Sequence, residues 1–208
     1  MLKTNIVQIS VILLFLFNIE AVAATTAASC DACHATAVRQ ITKAPQLAGQ
    51  SASYLQKQLL QFQQGERGGA ADDIGGQQMA AMAKTLTEAQ VAELSQFYSA
   101  QKPDSGAAKH GLANTNSNAA QLDQGRRLYI GSCGACHGAK AEGNPALNAP
   151  ALSLLDPGYL QLQLQHFRDG VRGISKTDKP GRQMALMSRQ LSDADIQAVA
   201  AYISAGAQ

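Results

Sequence analysis

Cys133-Gly134-Ala135-Cys136-His137 returns, with one filler changed, as Cys30-Asp31-Ala32-Cys33-His34. Two thiols three positions apart on a helical turn can each form a thioether with one vinyl group of a porphyrin. The histidine that follows then lies under the ring, where its imidazole can bind iron. C-x-x-C-H therefore reads as a c-type haem attachment signature, and the two copies use all four cysteines. Three other readings compete. Structural zinc pairs lie about 12–20 residues apart, whereas these are 103 positions apart. A redox dithiol expects a βαβ context, and none is visible. Two disulfides are the remaining use of four cysteines in an exported protein.

The chain opens with Lys3, an apolar run from Ile6 to Ile19, and Ala21-Val22-Ala23-Ala24. This is the pattern of a secretory signal peptide, cut after Ala23 or Ala24. The run is shorter than the ~20 residues that span a bilayer comfortably. An uncleaved anchor is the alternative, and the expected product is a soluble protein exported to the periplasm. Removing Lys3 and Glu20 leaves 16 basic and 14 acidic side chains. With no basic run and little aromatic interleaving, nucleic acid is not an expected partner.

An internal repeat organises the rest. Tyr54-Leu55-Gln56-Lys57-Gln58-Leu59-Leu60-Gln61-Phe62 returns as Tyr159-Leu160-Gln161-Leu162-Gln163-Leu164-Gln165-His166-Phe167, at an offset of 105. At that offset Pro45 maps to Pro150, Gly65 to Gly170, Arg67 to Arg172, Met79 to Met184, Met82 to Met187 and Leu86 to Leu191. The haem motifs are offset by 103, so the second copy carries two extra residues between His137 and Pro150. Leu55, Leu59 and Phe62, like Leu160, Leu164 and Phe167, mark one face of a helix. Thr87 with Gln90, and Ser192 with Asp195, have the spacing of capping boxes that open a last helix in each copy. No period-two segment is long enough for a strand, so the class is all-α. The stretch 101–118, rich in Gly, Ser, Asn and Ala, reads as a linker. The expected division is a signal peptide at 1–24, domain one at 25–100, the linker at 101–118 and domain two at 119–208. Each domain is small enough that a covalent porphyrin would supply part of its apolar core.

Each low-spin iron needs a sixth ligand beyond the motif histidine. Every methionine after the initiator lies in Met79-Ala80-Ala81-Met82 or Met184-Ala185-Leu186-Met187. Their equivalent places in the two repeats point to one axial methionine per pair, a neutral soft sulfur on iron. Spacing alone does not choose within a pair. His110 has no repeat partner and His166 aligns with Gln61, so both read as surface residues and bis-His ligation as the lesser alternative.

Together the paired motifs, Pro45-Gln46-Leu47-Ala48-Gly49-Gln50, the Tyr-Leu-x-x-Gln-Leu at 54–59 and the M-x-x-M pairs resemble the cytochrome c4 family, periplasmic dihaem cytochromes c. The resemblance covers nearly the whole mature chain. It implies two tandem class I cytochrome c domains, each wrapped around one covalent haem c held by Cys30 and Cys33, or by Cys133 and Cys136. The family's axial methionine lies seven residues before the Leu opening the last helix, which selects Met79 and Met184 as partners of His34 and His137. Met82 and Met187 then become packing neighbours. The family's proline carbonyl, matched by Pro45 and Pro150, would accept the imidazole N–H and fix the ring. Class I domains also cross an N-terminal helix over the last one. Gly125 and Tyr129 supply it in domain two, whereas six or seven residues before Cys30 leave domain one without a counterpart, its haem edge either more open, with a lower potential, or covered by domain two or a partner protein.

The implied function is single-electron transfer in the periplasm, from a bc1-type or other donor to a terminal oxidase, with peripheral association at the inner membrane compatible with it. A second reading is the dihaem electron-accepting subunit of a periplasmic dehydrogenase, such as a flavocytochrome sulfide dehydrogenase. A third, a dihaem peroxidase, needs an open iron that methionines in both repeats disfavour; the protein reads as an electron carrier, not an enzyme.

Overall fold

A computed structural model describes residues 27–104 and 118–207. The signal-peptide reading, His110 and most of the linker fall outside the described residues. The described chain is all-α: no strand occurs in it, only an isolated bridge between Asn144 and Ala149. None of its helices is long and apolar enough to cross a membrane.

In the first half, residues 27–34 form α1. They are followed by α2 (Thr36–Thr42), α3 (Ala52–Gln63), α4 (Ile74–Ala83) and α5 (Glu88–Ala100). The second half runs α6 (Ala119–Ser132), α7 (Gly134–His137), two 3-10 turns (Pro145–Leu147 and Leu152–Leu154), α8 (Pro157–Arg168), α9 (Lys179–Ser188) and α10 (Asp193–Ser204). The 105-residue offset carries α3 onto α8 and α4 onto α9 residue for residue. The duplication is therefore one of whole elements. Both expected capping boxes form, Thr87 with Gln90 at α5 and Ser192 with Asp195 at α10. The two extra residues of the second copy are taken up in the loop between His137 and Pro150, which holds the bridge and the first 3-10 turn.

Domain two closes by packing α6 across α10. A Cβ on Gly125 would stand 2.0 Å from the Ala198 carbonyl oxygen, so only glycine lets these backbones meet. Tyr129 continues the contact one turn on, its ring centroid 5.6 Å from that of Tyr202. Leu155, Tyr159, Leu160, Val199 and Ile203 complete this core.

Domain one departs from the sequence reading, because it does have a helix over its last one. Ala27 in α1 is buried against Leu55, Leu94 and Tyr98. The Tyr98 hydroxyl donates to the Asp31 carboxylate at 2.8 Å and lies 3.1 Å from the Ala27 carbonyl. The aromatic residue comes here from α5 rather than from the N-terminal helix, so a search for a Gly–aromatic pair before Cys30 misses it.

Across the domain boundary, Gln50 is buried and satisfies both backbone groups of Ala151, donating at 2.7 Å and accepting at 3.0 Å. Arg39, also buried, donates to Asp156 at 3.2 Å and to the His34 carbonyl at 3.4 Å. One guanidinium thus ties the domain-one haem motif to the residue that opens α8.

Candidate haem sites

In domain one, α1 carries Cys30, Cys33 and His34, with Cys33 exposed and His34 buried. The Nδ1 of His34 donates to the Pro45 carbonyl at 2.8 Å. A carbonyl can only accept, so Nδ1 holds the proton and Nε2 keeps its lone pair. That Nε2 lies 3.5 Å from the Met79 Sδ on α4. Domain two repeats the arrangement, with His137 buried and its Nδ1 donating to Pro150 at 3.0 Å. Burial pushes both imidazoles below the usual histidine range, against the opposing pull of the proline carbonyls. Each thus turns its Nε2 lone pair away from the proline carbonyl, and the neutral imidazole is the form that can bind iron.

A cavity of about 320 Å³ opens beside His137. Cys133, Cys136, Met184 and Met187 line it with Leu128, Leu160, Leu164, Phe167 and Val199. Its wall is largely apolar, and burial pushes the Cys133 thiol up to about 11. No disulfide joins the four cysteines, and among the described residues no cluster of three His, Cys, Asp or Glu could hold a metal ion. The described residues therefore offer nothing in support of the zinc and disulfide readings.

A buried pair of cations tests whether a haem suits this space. Arg67 and Arg172 are 8% and 9% exposed, and each stacks over a ring of its own domain, Phe62 or Phe167, at 4.5 Å. Their hydrogen bonds go to neutral groups. Arg67 donates to Gln58, Gln163 and Tyr159 at 2.7, 2.9 and 2.9 Å. Arg172 donates to Gln163 and Gln58, both at 2.6 Å. Among the described residues, the Nε of Arg67 has no hydrogen-bond partner. Burial raises the Tyr159 hydroxyl, yet the two guanidiniums outweigh it and bring that hydroxyl below its ordinary value. Two buried cations without a bonded carboxylate are costly unless an anion joins them. Arg172 lines the cavity, together with Tyr54, Lys57 and Gln58 of the other domain. An apolar slot with thiols at one side and unpaired guanidinium charge at another fits a porphyrin that carries carboxylates.

Two sequence readings change. His166 is not a surface residue: its side chain is 11% exposed, its Nδ1 3.9 Å from Asp73 of domain one. Met82, expected to pack, is 47% exposed, because three residues beyond Met79 the helix has turned to a neighbouring face. Met187 is 36% exposed and borders the cavity. The interface residues Gln58, Gln163, Arg67 and Arg172 escaped the sequence reading, although the repeat of Arg67 in Arg172 was the signal that could have marked them.

Comparison with known proteins bears on both halves. The cytochrome c family model matches residues 19–100 and 122–206. The chain is 32% identical over 182 residues to cytochrome c4 of Azotobacter vinelandii, covering 85% of this chain and 84% of the relative. It is 33% identical over 186 residues to a thiosulfate dehydrogenase electron acceptor of Stutzerimonas stutzeri, covering 86% and 79%. The structure of reduced cytochrome c4 from Pseudomonas stutzeri superposes with a TM-score of 0.70 at 26% identity, over 89% of this chain and 97% of that one. With one attachment motif, one proline-held histidine and one methionine helix in each half, this chain belongs to the cytochrome c4 family, a dihaem electron-transfer protein with two covalently bound haems c.

Proposed function

We propose that the protein shuttles single electrons in the periplasm between a bc1-type or other donor and a terminal oxidase, with His34 and Met79 holding one iron and His137 and Met184 the other. The observation that carries the ligand choice is the line Pro45 O, His34 Nδ1, His34 Nε2, Met79 Sδ, in which the imidazole is fixed from behind and faces a sulfur. Met184 borders the cavity beside His137 in the same relation of the repeat. Bound haem supplies the one-electron Fe(III)/Fe(II) couple at each site.

The chain's own residues set the conditions for that couple. Proline carbonyls orient the imidazoles, which removes rotational freedom at the iron side. The apolar wall around His137 excludes water and favours the less charged Fe(II) state. Arg67 and Arg172, cross-linked through Gln58 and Gln163, would hold the haem carboxylates at the domain boundary. A methionine facing the motif histidine in each half would leave no substrate position on a bound iron, which supports a carrier rather than an enzyme.

A second reading has a specific observation behind it. Similarity to a thiosulfate dehydrogenase electron acceptor, over most of both chains, supports service to a periplasmic dehydrogenase that oxidises a small sulfur compound. Stopped-flow mixing of the oxidised holoprotein with each candidate donor decides between them. Fast second-order reduction by a bc1-type complex, and slow reduction by the dehydrogenase, supports the first reading; the reverse order supports the second.

A further inference from the structure

Both methionine helices begin on a buried aspartate. Asp73 accepts from the Gly76 N–H at 2.9 Å at the start of α4, and Asp178 accepts from the Gly181 N–H at 3.0 Å at the start of α9. The repeat treats these two carboxylates alike. The charges that meet them come from the opposite domain, and they are not alike.

Lys57 on α3 of domain one places its Nζ 2.6 Å from the Asp178 Oδ1. Lys57 and Asp178 both line the cavity beside His137, so their charges act directly on that site. The repeat counterpart of Lys57 is Leu162, which cannot return the contact to Asp73. A different position does. Where α3 has Gln61, α8 has His166, and its Nδ1 lies 3.9 Å from the Asp73 Oδ1. That Nδ1 is buried without a hydrogen-bond partner among the described residues. It faces a carboxylate at a distance that a protonated ring can close.

We propose that Lys57 and His166 are cross-domain counter-charges that set the two haem potentials apart, Lys57 as a fixed cation at domain two and His166 as a protonation-dependent one at domain one. The inference rests on the reading of one redox-active iron per domain. A cation near a haem favours Fe(II) over Fe(III) and raises its potential. Lysine stays charged through the neutral range, whereas imidazole gains its charge within it. Asp73 faces His166 from the start of α4, and Asp169, held by Arg168, acts on it from the end of α8. Arg67 shares the field of Asp73 and opposes them, and Arg172 reaches the ring's own residue only through its backbone N–H. As pH falls, His166 gains a proton, the charge of Asp73 is cancelled, and the domain-one potential rises. By linkage, reduction at domain one makes His166 easier to protonate.

The test is a potentiometric titration of the holoprotein between about pH 5 and 8, with the haems assigned by their methyl resonances. One potential should fall as pH rises and the other stay level; the moving one should change by a factor of roughly 2–10 in Fe(II)/Fe(III) ratio at fixed applied potential. His166→Gln, which copies the residue at position 61, should hold the domain-one haem at its alkaline value. His166→Lys should hold it at its acid value. Lys57→Leu should lower the domain-two potential at every pH. A pH dependence that survives in His166→Gln belongs to another group, such as a haem carboxylate, and overturns the inference. So does an equal movement of both haems. If the absorption spectrum lacks two six-coordinate haems, the underlying reading fails as well, and the spectrum tells that failure apart.

Discussion

Arg67 of domain one donates to Gln163 of domain two at 2.9 Å, while Arg172 of domain two donates to Gln58 of domain one at 2.6 Å. The exchange is reciprocal, since each glutamine also accepts from the arginine of its own domain. The duplicated half has become its own partner. Replacing Arg172 by Met keeps the apolar stem but removes two buried hydrogen bonds to a charged group. The expected cost is roughly 2–4 kcal/mol in the holoprotein, read by chemical denaturation, with Arg67→Met costing a similar amount. A holoprotein equally stable without either guanidinium would show that this exchange of hydrogen bonds does not hold the two domains together.

Met79→Ala and Met184→Ala should each remove the sulfur-to-iron charge-transfer absorption of one haem and lower that haem's potential. Met82→Ala and Met187→Ala should keep both. Since Met82 is 47% exposed, its replacement should change stability by no more than about 0.5 kcal/mol. Loss of the absorption in Met82→Ala instead would move the ligand within the pair.

The signals in this chain differ in range. The attachment motifs, the capping boxes and the apolar faces of α3 and α8 are local patterns within a dozen residues, and the structure shows the elements they imply. The repeat extended that range by copying one half onto the other. What it could not show was contact between the copies. His166 looked like a surface residue because the repeat aligns it with Gln61 rather than with a ligand, and its actual partner, Asp73, lies 93 positions earlier. The helix over α5 was missed for a related reason, since Tyr98 reaches back to Ala27 from the far end of the domain.

Gly125→Ala should disrupt domain two selectively. The added methyl would meet the Ala198 carbonyl at 2.0 Å, and forcing α6 away from α10 should cost about 1–3 kcal/mol. Thermal unfolding followed at the haem bands should show the loss in one of two transitions. An unchanged melting profile would mean that the two helices do not meet in solution.

Acid should weaken the Lys57–Asp178 contact in a defined direction. Burial alone would raise the Asp178 carboxyl, but Lys57 and the Gly181 N–H hold it below the usual carboxylate range. A carboxylate with a lowered folded value contributes stability above about pH 3.9, and that contribution is lost as pH falls through the lower value. Lys57→Met should therefore reduce stability at neutral pH and flatten its decline below about pH 4. A decline of the same steepness in the variant would assign the acid sensitivity to other carboxylates.

The decisive measurement is a potentiometric titration of the purified holoprotein followed through its haem absorption. The predicted result is two electrons taken up per chain, one by each of two low-spin haems with methionine on iron in the oxidised state. Uptake of a single electron, or of two by haems that lack the sulfur-to-iron absorption, would contradict it.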